Sequence, residues 1–236
     1  MVNQSKTYLN KDSFRSGVRD CIPTLFGYLS IGFACGVVSK SCGMTILETV
    51  AMSTFVYAGS SQFIAASMIL SLATVPSVII TIFLVNLRHL LMSASIAPKF
   101  KNNSLLKNFT VGALLTDETF ALASSKSNSK DTIDYKWMMG INLTAYINWV
   151  LATFIGAYFS SLIYDYKKFG LDFALIAMFI GLLISSVKEN SKIKRSILIM
   201  VSSVLALIIS IKFFSVNTGI MIAAIFGAFM GGITEK

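Results

Sequence analysis

Charge is absent from four long stretches of this sequence: Cys21 to Ser39, Thr49 to Leu87, Trp137 to Tyr164 and Phe213 to Thr234. A helix needs about 20 apolar residues to cross the hydrocarbon of a bilayer, and these runs reach or approach that length. In lipid every backbone N–H and C=O must be paired within its own segment, which selects helices over open strands. The two-residue alternation of a barrel strand is missing as well. Only 13% of the 236 residues are charged, against about 25% in ordinary soluble domains, too few to clothe a surface in water. The expected fold is an all-α, polytopic transmembrane bundle of about 6–8 membrane segments, one or two of them broken or re-entrant. Residues 1–20 are expected to form a cytoplasmic tail and residues 21–236 a single transmembrane domain in the cell membrane.

The net charge of +9 does not point to nucleic acid. Most Lys and Arg lie in short segments between apolar runs, where cations fix orientation. The stretch before Cys21, with Lys6, Lys11, Arg15 and Arg19, is too polar to be the apolar region of a signal peptide. Cys21, Cys35 and Cys42 follow no metal-ligand spacing and read as small packing residues. No cofactor is expected. A phosphate loop of the Gly-x-x-x-x-Gly-Lys-Ser/Thr type is missing, so the chain does not bind ATP in that way.

Local signals divide the apolar runs. A first helix is expected from about Ile22 to Ser39, with Pro23 at its start and Gly32 and Gly36 allowing a close neighbour. Thr45 and Glu48 have capping-box spacing and start a helix near Ile46. Ala58, Gly59, Ser60, Ser61 and Gln62 interrupt the next run. Pro76 marks a break before a helix from about Ser77 to Ile96, and Asn108 to Ser125 carries Asp117 and Glu118 near its middle. Further spans are expected over Trp137–Ile163, Leu171–Val187, Ser196–Ile211 and Val216–Gly232, the last with Gly227 and Gly231 on a packing face. If all eight segments cross, the loop with Lys99, Lys101 and Lys107 falls outside. If the Gly59 and Asp117 segments are re-entrant, that loop, the cluster from Lys188 to Arg195 and both termini lie inside, as positive charge prefers.

Arg88 lies about a dozen residues into its helix, where an Arg costs roughly 2.5–3.5 kcal/mol on insertion scales. It serves either a structural ion pair or a substrate contact. Its available partners are Asp117 and Glu118, which point about 100 degrees apart on a helix. One of them can face Arg88, leaving the other for a proton or an ammonium group, unless both acids are simply solvated at the interface. His89 is the only histidine; it is a structural hydrogen-bonding group or, with Asp117 and Glu118, a proton-coupling group. Ala58 to Gln62 offers small side chains and free peptide N–H groups, suited to a carboxylate at a broken helix or merely to close packing. The candidate substrate-binding set is Ala58, Gly59, Ser60, Ser61, Gln62, Asn86, Arg88, Asp117 and Glu118, with no catalytic or metal-binding residue.

Several strings together resemble the AzlC family, the large subunits of branched-chain amino acid exporters linked to azaleucine resistance. They are Gly27-Tyr28 with Gly32 and Gly36, Met52-Ser53, Tyr57-Ala58-Gly59-Ser60-Ser61-Gln62-Phe63, Asn86-Leu87-Arg88-His89-Leu90 with Ser93-Ala94-Ser95, and Thr116-Asp117-Glu118-Thr119-Phe120. Trp149 and Gly170-Leu171-Asp172-Phe173-Ala174 continue the likeness, which covers roughly positions 15 to 190. The resemblance implies export of leucine, valine, isoleucine and analogues by secondary transport, together with a small AzlD-like membrane subunit. Two departures, Leu29-Ser30-Ile31 and Met92, fall where the family commonly has an Ile-Pro-Phe type string and an aromatic. A zwitterion fits the candidate set: Asp117 or Glu118 for the ammonium, Arg88 or the Gly59–Ser61 amides for the carboxylate, and Phe, Met and Ile for the branch. The competing classes are an intramembrane serine hydrolase using Ser60 or Ser61 with His89, and a channel or structural membrane subunit.

Overall fold

The computed structural model describes residues 13–127, 131–163, 193–214 and 216–233, with scattered positions between 164 and 192. The chain is an all-α membrane protein: among the described residues there are nine α-helices with defined bounds and no strand. They belong to two compact units, residues 1–175 and 176–236. The first unit holds α1 (Phe14–Ser41), α2 (Ile46–Phe55), α3 (Gly59–Leu70), α4 (Val75–Ile96, prolonged as a 3-10 turn through Phe100), α5 (Leu105–Ala113), α6 (Asp117–Ser127) and α7 (Tyr135–Phe159). The second holds α8 (Ile193–Ser210) and α9 (Val216–Ile233). Helices α1, α4 with its 3-10 turn, α7 with the turn that follows it, and α8 are long and apolar enough to cross a membrane. The helix expected over Leu171–Val187 falls largely outside the described residues.

Helix α1 starts at Phe14, well before the expected Ile22. Ser13 and Ser16 explain why: the Ser16 N–H donates to Ser13 Oγ at 3.2 Å and the Ser13 N–H to Ser16 Oγ at 2.9 Å, so two orphan donors of the first turn are satisfied. Pro23 is therefore inside the helix, where it leaves one main-chain bond unmade. Residues Phe14 to Asp20 form the first turns of α1, and Asp20 accepts from Trp137 Nε1 of α7 at 2.8 Å. The Thr45–Glu48 box forms as expected and opens α2. Pro76 lies in the first turn of α4.

Helices α1 and α7 run parallel and in contact along most of their length. A side chain added at Gly17 would meet Trp137 and Gly140, one at Gly32 would meet Trp149 and Ala152, and one at Gly36 would strike the backbone of Thr153 and Gly156. The residue numbers rise together on both helices, which fixes the direction. Asn148 Nδ2 adds a bond to the Leu25 carbonyl at 3.1 Å.

Helix α4 runs the other way. Its last turns meet the start of α7 and the end of α6: Lys99 Nζ donates to the Ser127 carbonyl at 3.2 Å, and the Ile133 N–H to the Lys99 carbonyl at 3.1 Å. This end of the unit is called here the Lys99 face, and the opposite end, where α1 finishes, the Ser41 face. Apolar side chains of α4, among them Ile79, Ile80, Phe83, Leu90 and Leu91, are exposed, as lipid contact requires.

The two interrupted segments are hairpins that enter from opposite faces. Helix α5 begins on the Lys99 face, where Lys107 Nζ lies 5.4 Å from the centre of the Tyr135 ring, and rises to Val111, whose carbonyl accepts from Asn142 of α7 at 3.1 Å. After the break at residues 114–116, α6 descends until Lys126 Nζ lies 3.7 Å from the centre of the Trp137 ring. Both ends of α5–α6 thus lie on one face. Helices α2 and α3 mirror this: α2 begins just after α1 ends, reaches Thr54 beside Tyr146 of α7, breaks at residues 56–58, and α3 returns to the short turn that starts α4. Re-entry of both segments is the arrangement that gathers Lys99, Lys101 and Lys107 with the starts of α1 and α7. Irregular backbone at such depth has to be shielded by protein or line a watery cavity.

In the second unit α8 and α9 form a pair. Gly227 of α9 packs against Ser203 of α8, and the Arg195 guanidinium donates to the Gly231 carbonyl at 2.7 Å.

Candidate functional site

The site is built where the two breaks meet α1, α4 and α7. At the second break Thr116 and Thr119 cap each other: the Thr116 N–H donates to Thr119 Oγ1 at 2.9 Å and the Thr119 N–H to Thr116 Oγ1 at 3.4 Å. This places Asp117 and Glu118 in the first turn of α6, where the positive end of the helix dipole favours carboxylates. The acids then diverge. Asp117 Oδ2 pairs with Arg88 Nη1 of α4 at 2.9 Å, both side chains being mostly buried. Glu118 Oε2 accepts from the Tyr28 hydroxyl of α1 at 2.7 Å, and the same hydroxyl bonds Thr116 Oγ1. Only one acid faces Arg88, as helical geometry requires. The other is held by a tyrosine, a partner outside the expected set, and keeps lone pairs for a further donor.

The first break is made differently. Tyr57 adopts the left-handed region, with φ at +44°, a conformation costing a bulky side chain about 1–3 kcal/mol. Its ring stacks edge-on against Tyr146 at 4.8 Å. Helix α3 then opens at Gly59 with no side chain capping its N-terminus, so N–H groups of its first turn remain available. Gly59 is required because an added side chain would meet the Trp149 ring at 2.9 Å. Ser61 Oγ donates to Asn86 Oδ1 of α4 at 2.5 Å. Among the described residues the buried Ser60 hydroxyl has no hydrogen-bond partner. Gln62 is fully buried, and both ends of its amide are taken: Trp149 Nε1 donates to Oε1 and Nε2 donates to Ser53 Oγ, each at 2.7 Å. Gln62 thereby ties α2, α3 and α7 together across the break.

A chain of contacts joins the two half-helix tips. Trp149 covers Gly59, Tyr28 packs edge-on against Trp149 at 5.6 Å, and Tyr28 reaches Glu118. The pairs Asn86–Ser61, Arg88–Asp117 and Tyr28–Glu118 thus tie α4 and α1 to the two tips. His89 lies next to Arg88 and is half-buried. Ser61 is engaged by Asn86, and among the described residues neither serine is hydrogen-bonded to His89 as a nucleophilic dyad requires. Among the described residues no cluster of His, Cys, Asp and Glu fit for a metal ion occurs. Cys21, Cys35 and Cys42 are buried free thiols.

Sequence reasoning did not assign Tyr28, Tyr57, Thr116 or Trp149 to the site. A tyrosine in an apolar run is ordinary at an interface or in a core, and only its partner reveals the role. For Thr116 the spacing to Thr119 was a usable signal.

A family model described as AzlC protein matches residues 23–163. The Branched-chain amino acid transport protein AzlC of Bacillus subtilis is 30% identical over 195 residues, covering 79% of this chain and 74% of that protein. The Inner membrane protein YgaZ of Escherichia coli is 29% identical over 187 residues, 77% of this chain and 76% of that one. An uncharacterized membrane protein of Archaeoglobus fulgidus is 32% identical over 178 residues, 74% and 76% of the two chains. No solved structure matches.

Proposed function

The chain belongs to the AzlC family and is a multi-pass membrane transport protein, and from that premise we propose that it exports branched-chain amino acids across the cell membrane. It does so as the large subunit of a two-component secondary transporter, with a small AzlD-like membrane protein as the other component. The observation that carries this reading is the opposite chemistry of two half-helix tips joined by Tyr28 and Trp149.

At the α3 tip, N–H groups with no side-chain cap and the Ser60 hydroxyl, which has no partner among the described residues, offer donors, which suits a carboxylate. At the α6 tip, Glu118 offers acceptors beside an already neutralised Arg88–Asp117 pair, which suits an ammonium group. A zwitterionic amino acid supplies both charges, and aliphatic and aromatic side chains of the adjoining core, Met52, Ile31 and Tyr57 among them, take the branched part. The Arg88–Asp117 pair organises α4 against α6, and carboxylates with His89 nearby provide groups through which a proton gradient drives the cycle.

The test is efflux of labelled leucine, valine, isoleucine and methionine from cells, with and without the small partner. Saturable efflux that collapses when the proton gradient is dissipated is the expected result. Glu118→Gln keeps an acceptor for Tyr28 but removes the charge, so KM should rise about tenfold or more, the order of one lost charge-assisted bond. Unchanged KM in that variant would remove Glu118 from the substrate site. Conductance independent of any gradient would replace the transporter reading with a channel.

A further inference from the structure

The first unit contains an inverted repeat. A long helix, a turn, a half-helix, a three-residue break and a second half-helix occur twice: α1, α2, α3, then α4, α5, α6. The elements correspond at an offset of about 58 residues: α2 with α5, Gly59 with Asp117, Leu70 with Ser127. The half-helices match in length, 10 and 12 residues in the first copy and 9 and 11 in the second. The turns before them match too, since Ser41 is followed by α2 at Ile46 and Phe100 by α5 at Leu105. The copies are inverted because α1 and α4 are antiparallel and their hairpins enter from opposite faces.

At the same offset Tyr28 of α1 corresponds to Asn86 of α4, and Ser61 of α3 to Thr119 of α6. Each of the two long helices holds the tip of the other copy's hairpin, and does so from this equivalent position. Tyr28 binds Glu118 and Thr116 at the α6 tip; Asn86 binds Ser61 at the α3 tip. Little in the two segments is alike by residue type, so the correspondence is one of backbone and of contact.

We infer that Tyr28 and Asn86 are paired positioning residues of two gates related by this inverted repeat, Tyr28 latching the hairpin that enters from the Lys99 face and Asn86 the hairpin that enters from the Ser41 face. Inverted repeats let a protein reach its oppositely open state by exchanging the conformations of the two copies around a fixed site. Releasing Tyr28 frees α5–α6, whose entrance on the Lys99 face borders an open cleft of about 500 Å3 lined by Lys99, Lys107 and Lys136. Releasing Asn86 frees α2–α3 toward the opposite face.

The inference rests on the transport reading only in supposing that both faces open in turn, and its test uses no substrate. In a full-length chain with Cys21, Cys35 and Cys42 replaced by Ala, Ser60→Cys places a thiol at the buried α3 tip. Its labelling by a membrane-impermeant methanethiosulfonate is followed in right-side-out and inside-out vesicles. Tyr28→Phe should speed labelling from the Lys99 face alone, and Asn86→Ala from the Ser41 face alone. Each change should be roughly threefold to tenfold, the size set by one buried hydrogen bond. Ser61→Ala should reproduce Asn86→Ala, and Thr116→Val should reproduce Tyr28→Phe in part. A residue that merely stabilises the fold would raise labelling from both faces. Faster labelling from the same face in both variants, faster labelling from both faces in either, no change, or no labelling from either face in any variant overturns the inference. Failure of amino acid efflux with opposite-sided labelling intact would instead overturn the substrate assignment.

Discussion

The two re-entrant hairpins share a shape and differ in how their tips are made. In α2–α3 the break turns on a left-handed Tyr57 and is fastened by the neutral amide of Gln62 between Ser53 and Trp149. In α5–α6 no described residue of the break has positive φ, and the tip is fastened by a threonine pair, an ion pair and a tyrosine–carboxylate bond. The difference shows that one backbone device is stabilised at depth in two ways. One tip ties its buried amide, Gln62, into a satisfied network and leaves the Ser60 hydroxyl and its helix N-terminus open. The other fills its helix N-terminus with acids, which need partners because an unpaired charge in hydrocarbon costs several kcal/mol.

Removing charge at the second tip should have the largest effect. Arg88→Ala leaves the mostly buried Asp117 without its cation, and Asp117→Asn takes the charge from the Arg88–Asp117 pair; each should lower efflux below detection, measured as labelled leucine release at equal membrane abundance. The double variant Arg88→Ala with Asp117→Ala separates stability from function. It should recover thermal stability by about 2 kcal/mol or more relative to Arg88→Ala without recovering efflux. Recovery of efflux would make the pair structural only.

A smaller effect is expected at the first tip. Gln62→Ala strands Trp149 Nε1 and opens a cavity, so stability should fall by about 2–3 kcal/mol, read as a lower melting temperature in detergent. Because both ends of the Gln62 amide are already taken by Ser53 and Trp149, KM at the sites that remain folded should change less than twofold (a change of about 0.4 kcal/mol). A large KM change would place Gln62 in the substrate site and erase the contrast between the tips. The smallest effect belongs to the entrance of the first hairpin. Thr45→Ala removes one cap and should cost about 1 kcal/mol in the same assay with efflux retained; lost efflux would show that hairpin entry, and not only its tip, sets the cycle.

Much of this molecule was legible without coordinates. Charge-free runs located the spans because hydrocarbon penalises charge. Thr45 with Glu48 and Pro76 located helix starts because their chemistry acts within one turn. The costly residues Arg88, Asp117 and Glu118 marked the candidate site because lipid makes their presence informative. The start of α1 was misplaced: Pro23 is a common first-turn residue, and the weaker Ser13–Ser16 signal lay in a polar stretch. Only the tertiary structure decided that Asp117 rather than Glu118 takes Arg88, that Tyr28 takes Glu118, that Gln62 joins three helices, and that the hairpins are inverted copies. Local composition determines whether a segment leaves water, since that free energy is a sum over its own residues. Which buried group meets which depends on helix direction and rotation across separations such as Tyr28 to Glu118, and hydropathy is the same for a helix read up or down.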